Sequence, residues 1–222
     1  EIGGRRIDAG PVPHGGWIRA GETSFLVHVE GATPPPEPDV YDPDYEPDPP
    51  HLAARRAEAL DALRAAERQG PLYAVLDAAR DERILVLLRE SIDEATSLYE
   101  GTGGEPLADV APYLVRLERG STLLDALVRE GWGKRWGFYA RCASTTRALK
   151  RHLRRFLVVR NEETGGKMYF RYYDPAVLRV FLEAASPLMC SEVFGEMEEL
   201  LLEGPRASLV RFAAPVSREE ER

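Results

Sequence analysis

Cysteine is scarce in this chain, with two residues in 222, Cys142 and Cys190. A disulfide-stapled scaffold needs a denser framework, so both read as reduced thiols in apolar surroundings. Long apolar runs are missing as well. No stretch approaches the ~20 residues that span a bilayer, and Glu1-Ile2-Gly3-Gly4-Arg5-Arg6 lacks the apolar centre of a signal peptide. The first residue is not methionine, so the chain reads as a segment of something longer. These absences together imply a cytoplasmic protein with no membrane partner. Positive charge is also in deficit: 29 Lys and Arg against 37 Asp and Glu give a net charge of −8. Phosphate backbones select a basic field, so nucleic acid is not an expected partner.

Residues that carry chemistry are equally sparse. The four histidines, His14, His28, His51 and His152, have no partner at zinc-ligand spacing. Gly165-Gly166-Lys167 is followed by Met168 where a phosphate loop needs Ser or Thr, and the glycines lie between two strand-like runs. Gly101-Thr102-Gly103-Gly104 lacks dinucleotide-binding spacing and leads into Pro106. No Gly-x-Ser-x-Gly elbow is present. Cys142 and His152 could supply a nucleophile and a base, but a core thiol and a helix-surface imidazole account for them more simply. Asp77, Asp81 and Glu82 sit where a strand exit meets a helix start, a place that attracts acids without catalysis. The expectation is no catalytic residue, no cofactor and no metal.

What is present describes a globular chain: 44% hydrophobic and 30% charged residues. Residues 1–31 carry turn glycines and short alternating runs, Trp17-Ile18-Arg19 and Ser24–Val29, too short to bury a core alone. Residues 32–50 are rich in proline and acid (Glu37, Asp39, Asp42, Asp44, Glu46, Asp48) and read as an extended spacer. Residues 51–222 alternate strand and helix signals. A helical stripe from Leu52 ends at Gln69-Gly70-Pro71. Leu72–Leu76 is apolar enough for a strand covered on both faces. Helix Glu82–Ile92, short strand Thr96–Tyr99 and strand Tyr113–Leu117 follow, then a Ser121-capped helix and strand Trp136–Ala140. Ser144 caps the basic helix Thr145–Arg155. A hairpin over Phe156–Tyr173 turns at its paired glycines, and Asp174-Pro175 starts a capped helix. A Ser186-Pro187 helix and a hairpin from Met197 to Phe212 complete the order, and Ser217–Arg222 is a charged tail. This pattern predicts an α/β (α+β) fold, a mixed β-sheet flanked by helices, behind a short all-β N-terminal piece.

One surface feature stands apart. Arg147, Lys150, Arg151, Arg154 and Arg155, with His152, load a single helix with positive charge in an acidic chain. They are the candidate partner-binding residues, for an acidic partner. The alternative is a solvated helix that pairs with Glu162 and Glu163.

Six blocks carry a resemblance. They are Leu72–Ala79 (LYAVLDAA), Ser97–Gly101 (SLYEG), Val110–Val115 (VAPYLV), Gly131–Gly137 (GWGKRWG), His152–Val159 (HLRRFLVV) and Phe170–Leu178 (FRYYDPAVL). In order and spacing this segment resembles the adaptor-chaperone domain of bacterial type VI secretion systems. The resemblance implies a non-enzymatic protein whose partners are a secreted toxin effector and the valine-glycine repeat spike protein on which that toxin is loaded. Many such adaptors carry a further helical lobe, whereas little follows Phe212 here. Ahead of it, Ile2–Ile7, Gly16–Arg19 and Gly21–Val27 resemble the closing strands of a forkhead-associated domain, without that family's phosphothreonine-binding loops. Two rival readings follow from other classes: a phosphothreonine-dependent interaction module and a hydrolase.

Overall fold

Leu72–Asp77 is the centre of the molecule, and all six of its residues are buried. A strand can be buried throughout only if both faces of its sheet are covered, and that requirement organises everything else. The structure is a computed structural model that describes residues 17–20, 23–26, 49–99, 109–160 and 167–215. The Ile2–Ile7 turn, the acidic spacer up to Asp48, the Gly101–Gly104 loop, Glu162 and Glu163, the Gly165-Gly166 turn and the tail from Ser217 lie outside those residues.

In chain order, β1 (Trp17–Ala20) and β2 (Thr23–Leu26) pair with each other antiparallel, Trp17 opposite Leu26. Helix α1 (Pro49–Gln69) then precedes β3 (Leu72–Asp77), α2 (Glu82–Glu90), β4 (Glu94–Ser97), β5 (Pro112–Leu117) and α3 (Thr122–Gly131). Strand β6 (Gly137–Cys142), α4 (Thr146–Arg154), the ribbon β7 (Val158–Arg160) and β8 (Lys167–Tyr169), α5 (Pro175–Ala184) and α6 (Pro187–Phe194) follow. The last hairpin is β9 (Met197–Glu203) and β10 (Leu209–Ala213).

Six strands form one sheet in the order β10-β9-β6-β3-β5-β4. The expected α/β fold with helices on a sheet is what the chain builds. Its sheet differs from the expected mixed one in that all five ladders are antiparallel. The alternation of strands and helices is still honoured. β5 and β6 both run antiparallel to β3, so they point the same way, and α3 is the crossover between them.

Side-chain alternation along β3 divides the core. Leu72, Ala74 and Leu76 join a cluster with α1, α2 and α3, including Leu63, Ile84, Leu124 and Leu127. Tyr73 and Val75 face the other cluster, with Leu149 and Leu153 of α4, Leu178 and Leu182 of α5, and Phe194 of α6. The result is three layers with helices on both faces of the sheet. The β7–β8 ribbon is a separate two-stranded sheet. Its flank carries the aromatic set: Tyr172 lies between Phe156, Phe170 and Tyr173, with ring centroids 6.4, 6.0 and 5.7 Å away.

The helix starts follow local chemistry. Asp81, Ser121, Asp174 and Ser186 accept from the backbone N–H of Arg83, Leu123, Ala176 and Met189. The basic helix is capped by Thr145, whose Oγ1 accepts from Ala148 N at 3.3 Å, and not by Ser144 as the sequence pattern predicts. Among the described residues no helix is long and apolar enough to cross a membrane.

Gly137 marks how tightly β6 seats against β3. A Cβ placed there would lie 1.9 Å from the Val75 carbonyl oxygen. Gly137→Ala therefore forces two central strands apart, and we expect a loss of about 2–4 kcal/mol. Urea unfolding checks it: the midpoint should fall with an unchanged slope.

Candidate functional site

The end of β3 delivers Asp77 into the interior at 0% exposure. A buried carboxylate needs partners, and the chain supplies them from distant segments. Arg171, from the loop before α5, donates to Asp77 Oδ2, and Arg80, from the turn after β3, lies 3.8 Å from the same oxygen. Asp77 Oδ1 accepts from Ala79 N at 3.2 Å. Asp174, 1% exposed, lies in the same network. Arg135 Nη2 donates to both of its oxygens, at 3.0 and 2.8 Å, and Arg80 donates to Oδ2. The same carboxylate caps α5 through Ala176 N at 2.9 Å. Burial opposes ionisation of Asp174, but Arg80 and Arg135 outweigh it and hold the carboxyl below its ordinary range. Beside the network, Arg171 lies 5.7 Å from the Tyr173 ring, and Tyr173 and Tyr99 share a hydrogen bond.

A second buried acid has the opposite fate. Glu203, at the end of β9, is 3% exposed, and its Oε2 accepts from Gly133 N at 2.8 Å and Arg135 N at 3.2 Å. Burial pushes its carboxyl up to about 8, against the pull of those two amides. The amides belong to the α3–β6 loop, where Gly133 and Arg135 both have positive φ, 100° and 58°. Glu203 thus fixes the backbone that aims Arg135 at Asp174.

The groups weighed for chemistry are all engaged. Cys142 Sγ donates to the Glu196 carbonyl at 3.3 Å, and burial pushes its thiol up despite hydrogen bonds with Ser144. That is the reverse of an activated nucleophile. His152 is not a simple surface residue. Arg155 can only donate, so it places its proton toward His152 Nδ1 at 2.8 Å; Nε2 then carries the hydrogen and donates to the Val193 carbonyl at 2.8 Å. Asp81 is the cap of α2. Among the described residues no group of His, Cys, Asp and Glu could hold a metal ion.

The candidate partner-binding residues lie on α4 and its C-cap. Leu149 and Leu153 bury the inner face. Arg147, Arg151 and Arg155 are exposed, whereas Lys150 and Arg154 are half-buried. Lys150 Nζ donates to Thr96 Oγ1 on β4 at 2.8 Å, which ties that charge to the sheet. Positions 147, 151 and 155 are four apart, so the three exposed guanidinium groups form one stripe. Like charges at this spacing cost a few tenths of a kcal/mol per pair. The helix dipole offsets that near the C-terminus but works against Arg147 in the first turn. Glu162 and Glu163, the acids expected to neutralise the helix, lie outside the described residues.

Sequence reasoning missed the ion network. It reads Asp77 as a strand-exit acid and Asp174 as a helix cap, and gives Arg80 no role and Arg135 and Arg171 none beyond their place in the resembling blocks. A signal was there: Arg135 precedes Trp136, and Arg171 stands between Phe170 and Tyr172, where an unpaired charge has no solvent to turn to. The structure brings four of the six sequence blocks to this point through Asp77, Tyr99, Arg135, and Arg171 with Asp174.

The family model described as "Domain of unknown function (DUF4123)" matches residues 72–190 of the chain. No curated protein and no solved structure matches it.

Asn keeps the capping ability of Asp174 but removes its charge. Asp174→Asn leaves Arg80 and Arg135 facing a neutral group, and a loss of about 3–5 kcal/mol is expected in chemical denaturation. Glu203 generates a pH effect of determinate sign. The unfolded carboxyl ionises around 4.5 and the folded one around 8. Its contribution is full below the unfolded value and is lost as pH rises through the folded one. Glu203→Gln mimics the protonated acid. It should match the wild type near pH 5 and exceed it in thermal stability near pH 9; equal stability at both would refute the neutral buried carboxyl.

Proposed function

From its place in the DUF4123 family, to which the chain belongs, we propose that it is a non-enzymatic adaptor that binds a toxic effector and helps load it on the spike protein of a type VI secretion system. The observation that carries this reading is an overlap. All six blocks that resemble the secretion adaptors fall inside the matched segment, residues 72–190. The protein works in the cytoplasm of the producing cell, before the toxin leaves it. Such a role requires binding tight enough to shield the cargo and reversible enough to release it.

The site supports binding over chemistry. The candidate nucleophile and bases are held in structural hydrogen bonds: Cys142 to Glu196, and His152 to Val193 and Arg155. The accessible feature is the stripe of Arg147, Arg151 and Arg155. Its repulsion is relieved when an acidic surface lies against it, and its field would speed the encounter. The cargo face is therefore acidic where it meets α4.

Co-expression with the toxin encoded beside a spike gene tests the reading. The chain should co-purify with that toxin at micromolar concentration, and capture should weaken as salt is raised. Arg147→Glu with Arg151→Glu should lower affinity by at least about tenfold at low salt without lowering the melting temperature, since it relieves repulsion along the helix. Absence of any complex would refute the adaptor role; full capture by the double variant would remove α4 from the interface.

A further inference from the structure

Ile92 is 97% exposed, the most exposed large hydrophobic side chain among the described residues. It is not exposed through looseness. Asp93, its neighbour, is 7% exposed and anchors the loop between α2 and β4. Asp93 Oδ2 accepts from Ser91 Oγ and Ser121 Oγ, both at 2.6 Å, and Oδ1 accepts from Glu118 N at 2.7 Å. Asp93 N in turn donates to Ser91 Oγ at 3.0 Å. With residues 91 and 93 tied inward, the intervening side chain is held out into solvent.

Beside this knob lies a cleft of about 390 Å³ between α2 and α3, reached through Ser91. Its floor is apolar: Leu87, Leu123 and Ala126. Its rim carries both signs, Arg83 and Arg129 with Glu90 and Asp125; within the protomer Arg83 and Arg129 pair with Glu130, and Asp125 pairs with Arg64. Glu90 and Arg129 have most of their side chains in solvent, 64% and 69% exposed.

We propose that this face pairs with a second copy of the chain, Ile92 of each protomer seated in the α2–α3 cleft of the other. Two features select a second copy over an unrelated partner, and a third makes docking less costly. Knob and hole occur on one face, as a two-fold interface requires, because each copy must supply both. The rim is self-complementary in its two most exposed charges, since a two-fold operation can set Glu90 of one protomer against Arg129 of the other. The knob is pre-organised by a buried carboxylate, so little conformational freedom is lost on docking. The pairing face lies on the sheet side opposite α4, so a dimer leaves both arginine stripes open. The inference does not depend on the identity of any cargo.

Sedimentation equilibrium of the full chain tests it, from about 5 to 500 µM, which reads dissociation constants in the micromolar to submillimolar range. The weight-average mass should rise from 24.8 kDa toward twice that value. Ile92→Asp removes the knob, and Thr122→Arg fills the cleft from an exposed position; each should weaken association at least tenfold with unchanged circular dichroism. An equimolar mixture of the two variants keeps one intact knob and cleft per pair, so it should associate more tightly than either variant alone. A mass of 24.8 kDa at every concentration overturns the proposal, as does an Ile92→Asp dimer as strong as the wild type. A mixture no tighter than its components also overturns it. So does a monomer whose Ile92→Asp variant fails to capture the neighbouring toxin, which gives the face to cargo.

Discussion

The interaction on which the rest of this structure depends is the ion pairing of Asp174 with Arg135 and Arg80 in a site where all three side chains are withdrawn from water. Taking such charges out of solvent costs several kcal/mol each, and the pairing recovers that only when geometry is good on every side. The geometry is good because three layers of the fold converge there. Asp174 starts α5 in one helical layer, Arg80 leaves the central strand, and Arg135 comes from the loop that closes α3 in the opposite layer. Removing the carboxylate would free these elements from one another, whereas an apolar contact in the same place would hold them without fixing their register. Asp77 with Arg171 repeats the arrangement beside it.

Two buried carboxyls with near-equal exposure show how composition of the surroundings decides charge. Asp174 faces guanidinium groups and is held ionised; Glu203 accepts from the backbone amides of Gly133 and Arg135 and is pushed to about 8. Amide dipoles carry a fraction of a guanidinium charge, too little to offset desolvation of a full carboxylate. The two acids nevertheless act on one segment. Glu203 holds the α3–β6 backbone through Gly133 N and Arg135 N, and the Arg135 side chain then reaches Asp174. A neutral acid positions the loop, and a charged one collects the arginine that the loop presents.

Much of this architecture is legible in the amino acids because it rests on local rules. The unbroken apolar run Leu72–Leu76 announces a strand with two covered faces, and Ile84, Leu85, Leu87 and Leu88 announce the inner face of α2, as found. Asp81, Ser121, Asp174 and Ser186 announce helix starts because capping is a contact over two or three residues. Ser144 against Thr145 fails by one position, since neighbouring hydroxyls offer the same chemistry and the backbone turn selects between them. The ion network is illegible for a different reason. Its partners are 94 residues apart in the pairs Arg80–Asp174 and Asp77–Arg171, and periodicity reports whether a position is buried but never what it is buried against. Strand direction is hidden likewise, because β5 and β6 reveal that they run the same way only once β3 lies between them. Of the candidate site, the basic helix is readable as a charge count. That Arg147, Arg151 and Arg155 face outward while Lys150 turns to Thr96 depends on where β4 lies.

The two surfaces singled out share a physical character: each holds an arrangement that is unfavourable in the isolated protomer. On α4, three guanidinium groups repeat at a spacing where like charges repel. Beside α2, a fully exposed isoleucine is kept in water by a buried carboxylate that prevents the loop from folding it away. Local rules are obeyed almost everywhere else in the described residues, in caps, strand alternation and helix faces. Positions that break such rules without compensation among the described residues are where a partner is expected to supply it. The sheet keeps these positions apart, one on each helical layer. The acidic partner proposed on α4 and the second protomer proposed against α2 and α3 would therefore not compete for one surface, and engagement of two stripes by one multivalent cargo would raise its effective affinity without any new contact.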